Sequence, residues 1–233
     1  MIKSKLLAII PTYREAENIE KFINNLFKFN LDILIVDDNS NDGTQEIVLD
    51  LMNSSNRLNL LKRPSKLGLG SAYRDGFKYA IKQNYTHVLE MDADFSHQFN
   101  DLKQLLNYYS NNDVVIGSRY IKEGKTEGWG LHRKILSLIA NIYVRTITGI
   151  GIKDATSGFR IYSVQALNTI NFETTQSEGY SFQIEMSYRA WKKNVKIKEV
   201  PITFVERESG ASKMNYKIIL EALFKTIYLK FTH

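Results

Sequence analysis

Val88-Leu89-Glu90-Met91-Asp92-Ala93-Asp94 is an apolar, strand-like run that ends on two aspartates separated by one small residue. Alternate side chains of an extended chain point the same way, so Asp92 and Asp94 can converge on one point. Neighbouring carboxylates repel unless a cation or a proton lies between them. A hard divalent ion that also holds a diphosphate satisfies both, which marks the pair as a candidate metal and sugar-nucleotide site. The competing reading is a solvated turn at a strand end, and the rest of the chain decides between them.

Around this run, short β-rich stretches alternate with helical patterns. Strands are expected at 6–10, 32–36, 58–61, 86–91 and 114–117, and helices near 15–29, after Asn41 or Asp42 as cap, at 70–83 and near 99–109. Such alternation predicts an α/β fold with a parallel or mostly parallel, Rossmann-like sheet flanked by helices. Ligands of these sheets bind beyond the carboxyl ends of the strands. The polar clusters fall there: Thr12 to Glu15, Asp37 to Ser40, Arg63 to Lys66, Asp92 to Asp94, and Ser118-Arg119. Past residue 120 the pattern changes to a charged, glycine-containing loop at 123–130, a basic helix at 131–147 and a polar segment at 154–160. A helix at 180–191, strands at 195–200 and 202–205, a loop at 207–213 and an amphipathic helix at 216–231 follow. The simplest organisation is one domain over 1–233. The pattern divides it into 1–120, 121–213 and a C-terminal helix at 214–233.

Composition narrows the chemistry. The 233 residues are 43% hydrophobic and 24% charged, ordinary for a soluble globular chain. A net charge of +6 favours phosphates as partners. The absence of cysteine excludes disulfides and thiolate chemistry. The first residues lead into too short an apolar run for a signal peptide, and no stretch has the length of a transmembrane helix. The expected location is therefore cytoplasmic, peripheral on the cytoplasmic face of a membrane.

Each polar cluster has two readings. Asp37-Asp38 follows an apolar strand; a carboxylate there can accept hydrogen bonds from a nucleobase edge, although a capping turn accounts for part of the polarity. Lys66-Leu67-Gly68-Leu69-Gly70 either brings phosphate close to a helix start or simply turns the chain. Arg119, Arg133, Arg160, Arg207 and Lys213 form a cationic complement suited to phosphate oxygens. Ser137 lies one helical turn from Arg133, so both can address one phosphate. The four histidines form no metal-ligand spacing and no nucleophile motif is present; His97 either lies near the metal or is a loop histidine without a catalytic part.

Together with Pro11-Thr12-Tyr13-Arg14-Glu15, Val36 to Thr44, Met91 to His97, Gly117 to Tyr120, Gly128-Trp129 and Ser157 to Arg160, these motifs resemble the dolichol-phosphate mannose synthases. The similarity continues through Gly179 to Met186, Glu199 to Phe204 and Arg207 to Lys213, in order along the chain. That resemblance implies the GT-A fold of family 2 glycosyltransferases and transfer of mannose from GDP-mannose to a dolichyl or polyprenyl monophosphate, with inversion. It implies contacts from Pro11, Tyr13, Glu15, Val36 and Asp38 to the donor's base and ribose. It implies Mg²⁺ or Mn²⁺ on Asp92 and Asp94, with Ala93 and Ser96 alongside. Arg119, Arg133 and Ser137 resemble the group that receives the acceptor phosphate, Arg119 also reaching the donor. Arg207 and Lys213 resemble a loop closing over the diphosphate. Gln98-Phe99 stands where relatives often carry proline, and the C-terminal transmembrane helices of many relatives are lacking. Attachment to the membrane then falls to the amphipathic helices or to a small membrane-protein partner.

Three rivals are weighed. A phosphorelay receiver would use the acidic pair after strand 32–36 but is shorter and leaves Arg207 and Lys213 unexplained. A UDP-glucose or other UDP-sugar donor would use the same Asp38 loop. A polysaccharide synthase would need a Gln-x-x-Arg-Trp motif, which is absent. Nucleic-acid binding is not expected, because the basic residues are dispersed.

Overall fold

The computed structural model describes residues 5–206 and 216–232. In chain order its elements are β1 (Leu6–Thr12), α1 (Ile19–Leu26), β2 (Asp32–Asp37), α2 (Thr44–Met52), β3 (Leu58–Lys62), α3 (Leu69–Lys82), β4 (His87–Glu90), α4 (Phe99–Leu106) and β5 (Val114–Ser118). Then come β6 (Lys125–Glu127), α5 (Leu131–Thr148), β7 (Arg160–Ser163), α6 (Val164–Ile170), α7 (Gly179–Lys192), β8 (Ile197–Pro201), β9 (Thr203–Val205) and α8 (Tyr216–Thr232).

Seven strands make one sheet in the order β3-β2-β1-β4-β7-β5-β8. All neighbours are parallel except β7, which runs antiparallel between β4 and β5. The sheet is covered on both faces, so its central strands read as unbroken apolar runs. Alternate residues part cleanly: Leu7, Ile9, Leu34 and Val36 join one core cluster, and Leu6, Ala8, Ile10, Ile33 and Ile35 the other. The first cluster packs under α3, α6 and α7, the second under α1 and α4. Helix α7 is enclosed, with every residue from Ser181 to Ala190 buried. Helix α5, by contrast, buries only Asn141 and Val144 of its eighteen residues.

The expected strands and helices of the first half are present: β1, β2, β3 and β5 run slightly past their expected ends, while β4 and two of the helices are shorter. The helix expected over 15–29 occupies Ile19–Leu26, and the one expected to 109 stops at Leu106 before a 3-10 turn at Tyr109–Asn111. Strand β7, helix α6 and strand β6 were not anticipated, nor was the pairing of β6 with β9, the strand expected at 202–205. Among the described residues no helix is long and apolar enough to cross a membrane.

Candidate active site

The carboxyl ends of β1, β2, β4, β5 and β8 converge on one rim with the first residue of the antiparallel β7. Two separate groups of polar side chains gather there.

The first surrounds β1 and β2. Lys66 Nζ sits 3.9 Å above the Tyr13 ring, joining the loop after β1 to the loop before α3. Asp37 is structural: its carboxylate accepts from Thr12 Oγ1 at 2.8 Å, from Ser40 N and Oγ, and from Gln45 Nε2. Asp38, offered by the sequence to a nucleobase, is buried and ion-paired to Arg63 Nη1 at 2.7 Å, and it accepts from Gly68 N. Burial raises its pKa, against the opposing pull of Arg63. Pro11, Tyr13 and Glu15 are half-buried beside this pair, whereas Val36 is fully buried in the core.

The second group lines a cleft walled by Asp92, Arg119, Trp129, Arg133, Ser137 and Tyr180, which runs on between α5, α7 and α8 past Tyr143 and Leu223. Four of the expected site residues therefore share one cavity. Strand β4 ends at Glu90, and a bend carries Asp92 and Asp94 beyond it. Both aspartates remain half-buried on either side of the buried Ala93, so the alternation expected of a strand survives without the strand. Asp94 Oδ1 accepts from Ser96 N at 3.1 Å, which folds the bend back on itself. Phe95 closes it at φ +59°.

Arg119 is held from behind. Its Nε and Nη2 donate to the two oxygens of Asp154 at 2.7 Å each, and Nη2 also donates to Thr156 Oγ1 at 2.8 Å. Burial disfavours both charges, but the bidentate pairing outweighs it, raising the pKa of Arg119 and lowering that of Asp154. Trp129 stands between the two cleft arginines, 5.5 Å from the Arg119 guanidinium carbon and 4.1 Å from that of Arg133. One indole thus serves two like charges that would otherwise repel. Arg133 is ion-paired to Glu206. Ser137 Oγ accepts from Tyr120 OH at 2.7 Å, on the same helical face as Arg133.

One expectation is corrected, and two open readings are resolved. Arg160 is not part of the cationic complement: it is fully buried and donates to Ser157 O, Ala155 O, Tyr162 OH and Ser187 Oγ. The start of α3 is not open to a phosphate, because Glu178 already fills it. Its Oε2 accepts from Gly70 N at 2.8 Å and Ser71 N at 3.2 Å, while Oε1 pairs with Arg74. His97 lies outside the named strands and helices, as expected of a loop histidine, but it is buried, with Nε2 3.4 Å from Asp92 Oδ2. Arg207 and Lys213 lie outside the described residues.

Sequence reasoning put Arg63 on the rim without a partner and passed over Asp154 and Glu206; each pairs with a residue it had named. Their partners are 25, 35 and 73 positions away, so no local spacing announces them. Beneath the cleft, burial pushes the Glu90 carboxyl up to about 8, where Gln183 Nε2 donates to it at 2.8 Å.

The donor set suits a hard divalent cation bound partly by substrate. Among the described residues no point is surrounded by three or more histidine or carboxylate side chains. Two carboxylates on an accessible bend, one of them on the cleft wall, leave positions for diphosphate oxygens and water, the usual arrangement for Mg²⁺.

A mostly parallel, doubly covered sheet with an acidic bend beyond its central strand and a basic cleft beside it places a ligand site for an anionic substrate at the strands' carboxyl ends. The chain matches the profile of glycosyl transferase family 2 over residues 7–170, and it belongs to that family. It is 41% identical over 225 residues to the polyprenol monophosphomannose synthase of Mycolicibacterium smegmatis, covering 95% of this chain and 85% of that one. It is 39% identical over 221 residues to the undecaprenyl-phosphate mannosyltransferase of Micrococcus luteus, covering 94% and 91%. Among solved structures, glucosyl-3-phosphoglycerate synthase from Mycobacterium tuberculosis in complex with UDP superposes with a TM-score of 0.67 at 12% identity, covering 98% of this chain and 81% of that one. The mannosyltransferase PcManGT from Pyrobaculum calidifontis, solved with GDP-Man and Mn²⁺, gives 0.58 at 15% identity, covering 97% and 69%. These likenesses bear out the expected GT-A-type fold.

Proposed function

We propose that the protein transfers mannose from GDP-mannose to a polyprenyl or dolichyl monophosphate, giving a β-linked polyprenyl phosphate mannose and GDP. The observation that carries this is the cleft, which begins at Asp92, passes Arg133 and Ser137, and continues into an apolar channel between α5 and α8. The names of the two relatives support the same acceptor class.

An oxygen of the acceptor phosphate attacks the anomeric carbon. The bond to the diphosphate breaks with its electron pair, and a single displacement inverts the configuration. The acceptor is already anionic near neutral pH, since a phosphomonoester has a second pKa of about 6. No strong general base is needed. Arg133 and Ser137 orient the anion, and Arg119, restrained by Asp154, presents its remaining edge to the same space. Tyr13, Glu15, Pro11 and Asp38 hold the nucleoside, while Val36, fully buried, backs Asp38 from the core instead of touching the donor. Asp92 and Asp94, with Ala93 and Ser96 shaping the bend, would hold Mg²⁺ or Mn²⁺; such an ion would neutralise charge on the departing diphosphate. Arg207 and Lys213 close over that diphosphate. In this reading residues 1–120 serve the donor, 121–213 the acceptor, and 214–233 the membrane.

The outward side of α5 exposes Leu131, Ile135, Leu138, Ile139 and Ile142, and α8 exposes Phe224, Ile227, Tyr228 and Phe231. Lys134, Arg145, Lys225 and Lys230 accompany them. An apolar surface mixed with cations suits the cytoplasmic face of an anionic bilayer.

The test is direct. Purified protein is given radiolabelled GDP-mannose or UDP-glucose with a short polyprenyl phosphate and Mn²⁺. Lipid-soluble label from GDP-mannose with a β anomeric bond is the expected product. Label from UDP-glucose alone would replace the donor with a UDP-sugar, and an α product would refute the single displacement.

A further inference from the structure

His97 lies on the cleft wall and has no part in the reading above. It is 2% exposed. Its ring is stacked on Phe159 with centroids 4.7 Å apart and meets the edge of Phe204 at 5.2 Å. An isolated antiparallel bridge between His97 and Phe204 ties the backbone as well. The ring therefore has little freedom to turn.

An imidazole always carries at least one N–H. Here neither ring nitrogen has a hydrogen-bond partner among the described residues, although both are buried. Unpartnered buried donors are rare in folded proteins and call for a reason. Nε2 faces Asp92 Oδ2 at 3.4 Å, and both side chains line the same cleft. The Asp92 side chain is 38% exposed, that of His97 only 1%. A fixed ring thus stands behind a carboxylate that is itself open to solvent. Groups in this position hold a ligating carboxylate in one orientation, and their loss typically weakens metal binding about 10–100-fold.

We propose that His97 is a positioning residue, donating its Nε2–H to Asp92 Oδ2 and thereby aiming that carboxylate at the cation. The inference rests on the reading of Asp92 as a cation-holding group. The sleeve of Phe159 and Phe204 excludes water from the ring, so the carboxylate has no competitor for this donor. Because Phe204 belongs to β9, the segment that precedes residue 207 also sets the orientation of the acidic bend.

Mn²⁺ binding in the presence of GDP, followed by electron paramagnetic resonance, tests this without turnover. His97→Phe and His97→Leu should each weaken Mn²⁺ about 10–100-fold, while His97→Gln, which restores an N–H at similar reach, should recover most of the affinity. Melting temperatures separate lost folding from lost positioning, and two apolar variants guard against one that fails to fold. Asp92→Asn must also weaken Mn²⁺; if it does not, the role of Asp92 and this inference fall together. If Asp92→Asn weakens binding but both apolar His97 variants bind as the unsubstituted protein does, only this inference falls. Nitrogen coupling from a directly bound imidazole would likewise overturn it, because His97 would then be a ligand itself.

Discussion

Arg133, on the wall of the cleft, is ion-paired to Glu206, the residue immediately before the segment that carries Arg207 and Lys213. The carboxylate sits on the guanidinium proposed to receive the acceptor phosphate, so the two anions compete for one cation. The side chains are 12% and 36% exposed, and a pair this open contributes at most about 1 kcal/mol to stability. Glu206→Gln is expected to lower KM for the polyprenyl phosphate several-fold without changing Tm, whereas Arg133→Ala raises it. Steady-state kinetics with varied acceptor check both. A higher KM in Glu206→Gln would mean that the carboxylate orients Arg133 instead of competing with the substrate.

Asp92 and Asp94 occupy an accessible bend and contribute little to the core. Asp92→Ala and Asp94→Asn are therefore expected to leave Tm within a few degrees while lowering kcat about 100-fold or more, the scale of several kcal/mol of lost charge stabilisation. Turnover unchanged in both variants would remove them from the reaction.

The Arg119–Asp154 pair is a different case, since both side chains are buried. Removing one partner strands the other charge, and Asp154→Asn is expected to cost about 3–5 kcal/mol in urea unfolding. The pKa of Asp154 is held below its ordinary 3.8, so the pair stabilises the fold above that pH. Its contribution is lost only as the pH falls through the lowered value.

His87 lies at the opposite end of β4 from the cleft, edge-on to Tyr109 with centroids 4.8 Å apart. Burial lowers its pKa below 6.5, against a weaker opposing pull from Asp113. The unfolded chain then binds the proton first, so stability declines as the pH drops below 6.5 toward the lowered value and levels beyond it. His87→Phe should flatten that part of a Tm-against-pH curve, leaving activity intact. Parallel curves for the two proteins would refute the assignment.

The exposed aliphatic row of α5 should decide membrane attachment. The unsubstituted protein is expected to co-sediment with anionic vesicles, and Leu138→Glu with Ile139→Glu to abolish this without altering Tm. If the unsubstituted protein stays in the supernatant, a small membrane-protein partner must supply the attachment instead.

Much of the fold was legible because its early strands are covered on both faces. Ile33 to Val36 and Leu6 to Ile10 are continuous apolar runs, which few other structures explain. Strand β7 was hidden for the opposite reason. It is four residues long, opens on a charged arginine and follows a polar loop, and nothing local reveals that the carbonyls of Ser157 and Ala155 will accept hydrogen bonds from Arg160. The acidic bend and the cleft arginines could be named from their motifs and their places after strand ends. Their partners could not, because Asp154 and Glu206 arrive from elements placed by tertiary packing alone. The seat of Glu178 on α3 is the clearest instance: an acid more than 100 residues downstream occupies the helix start that the sequence offers to a phosphate.

The position of β7 has a consequence for any attempt to divide the chain. It supplies the rung between β4 and β5, so a fragment stopping near residue 120 would leave those two strands with a missing neighbour between them. Their bare backbone edges would invite self-association. Expression of the leading portion by itself should yield aggregates, and supplying the remainder as a separate polypeptide should restore solubility only if it threads its short ribbon back into the gap.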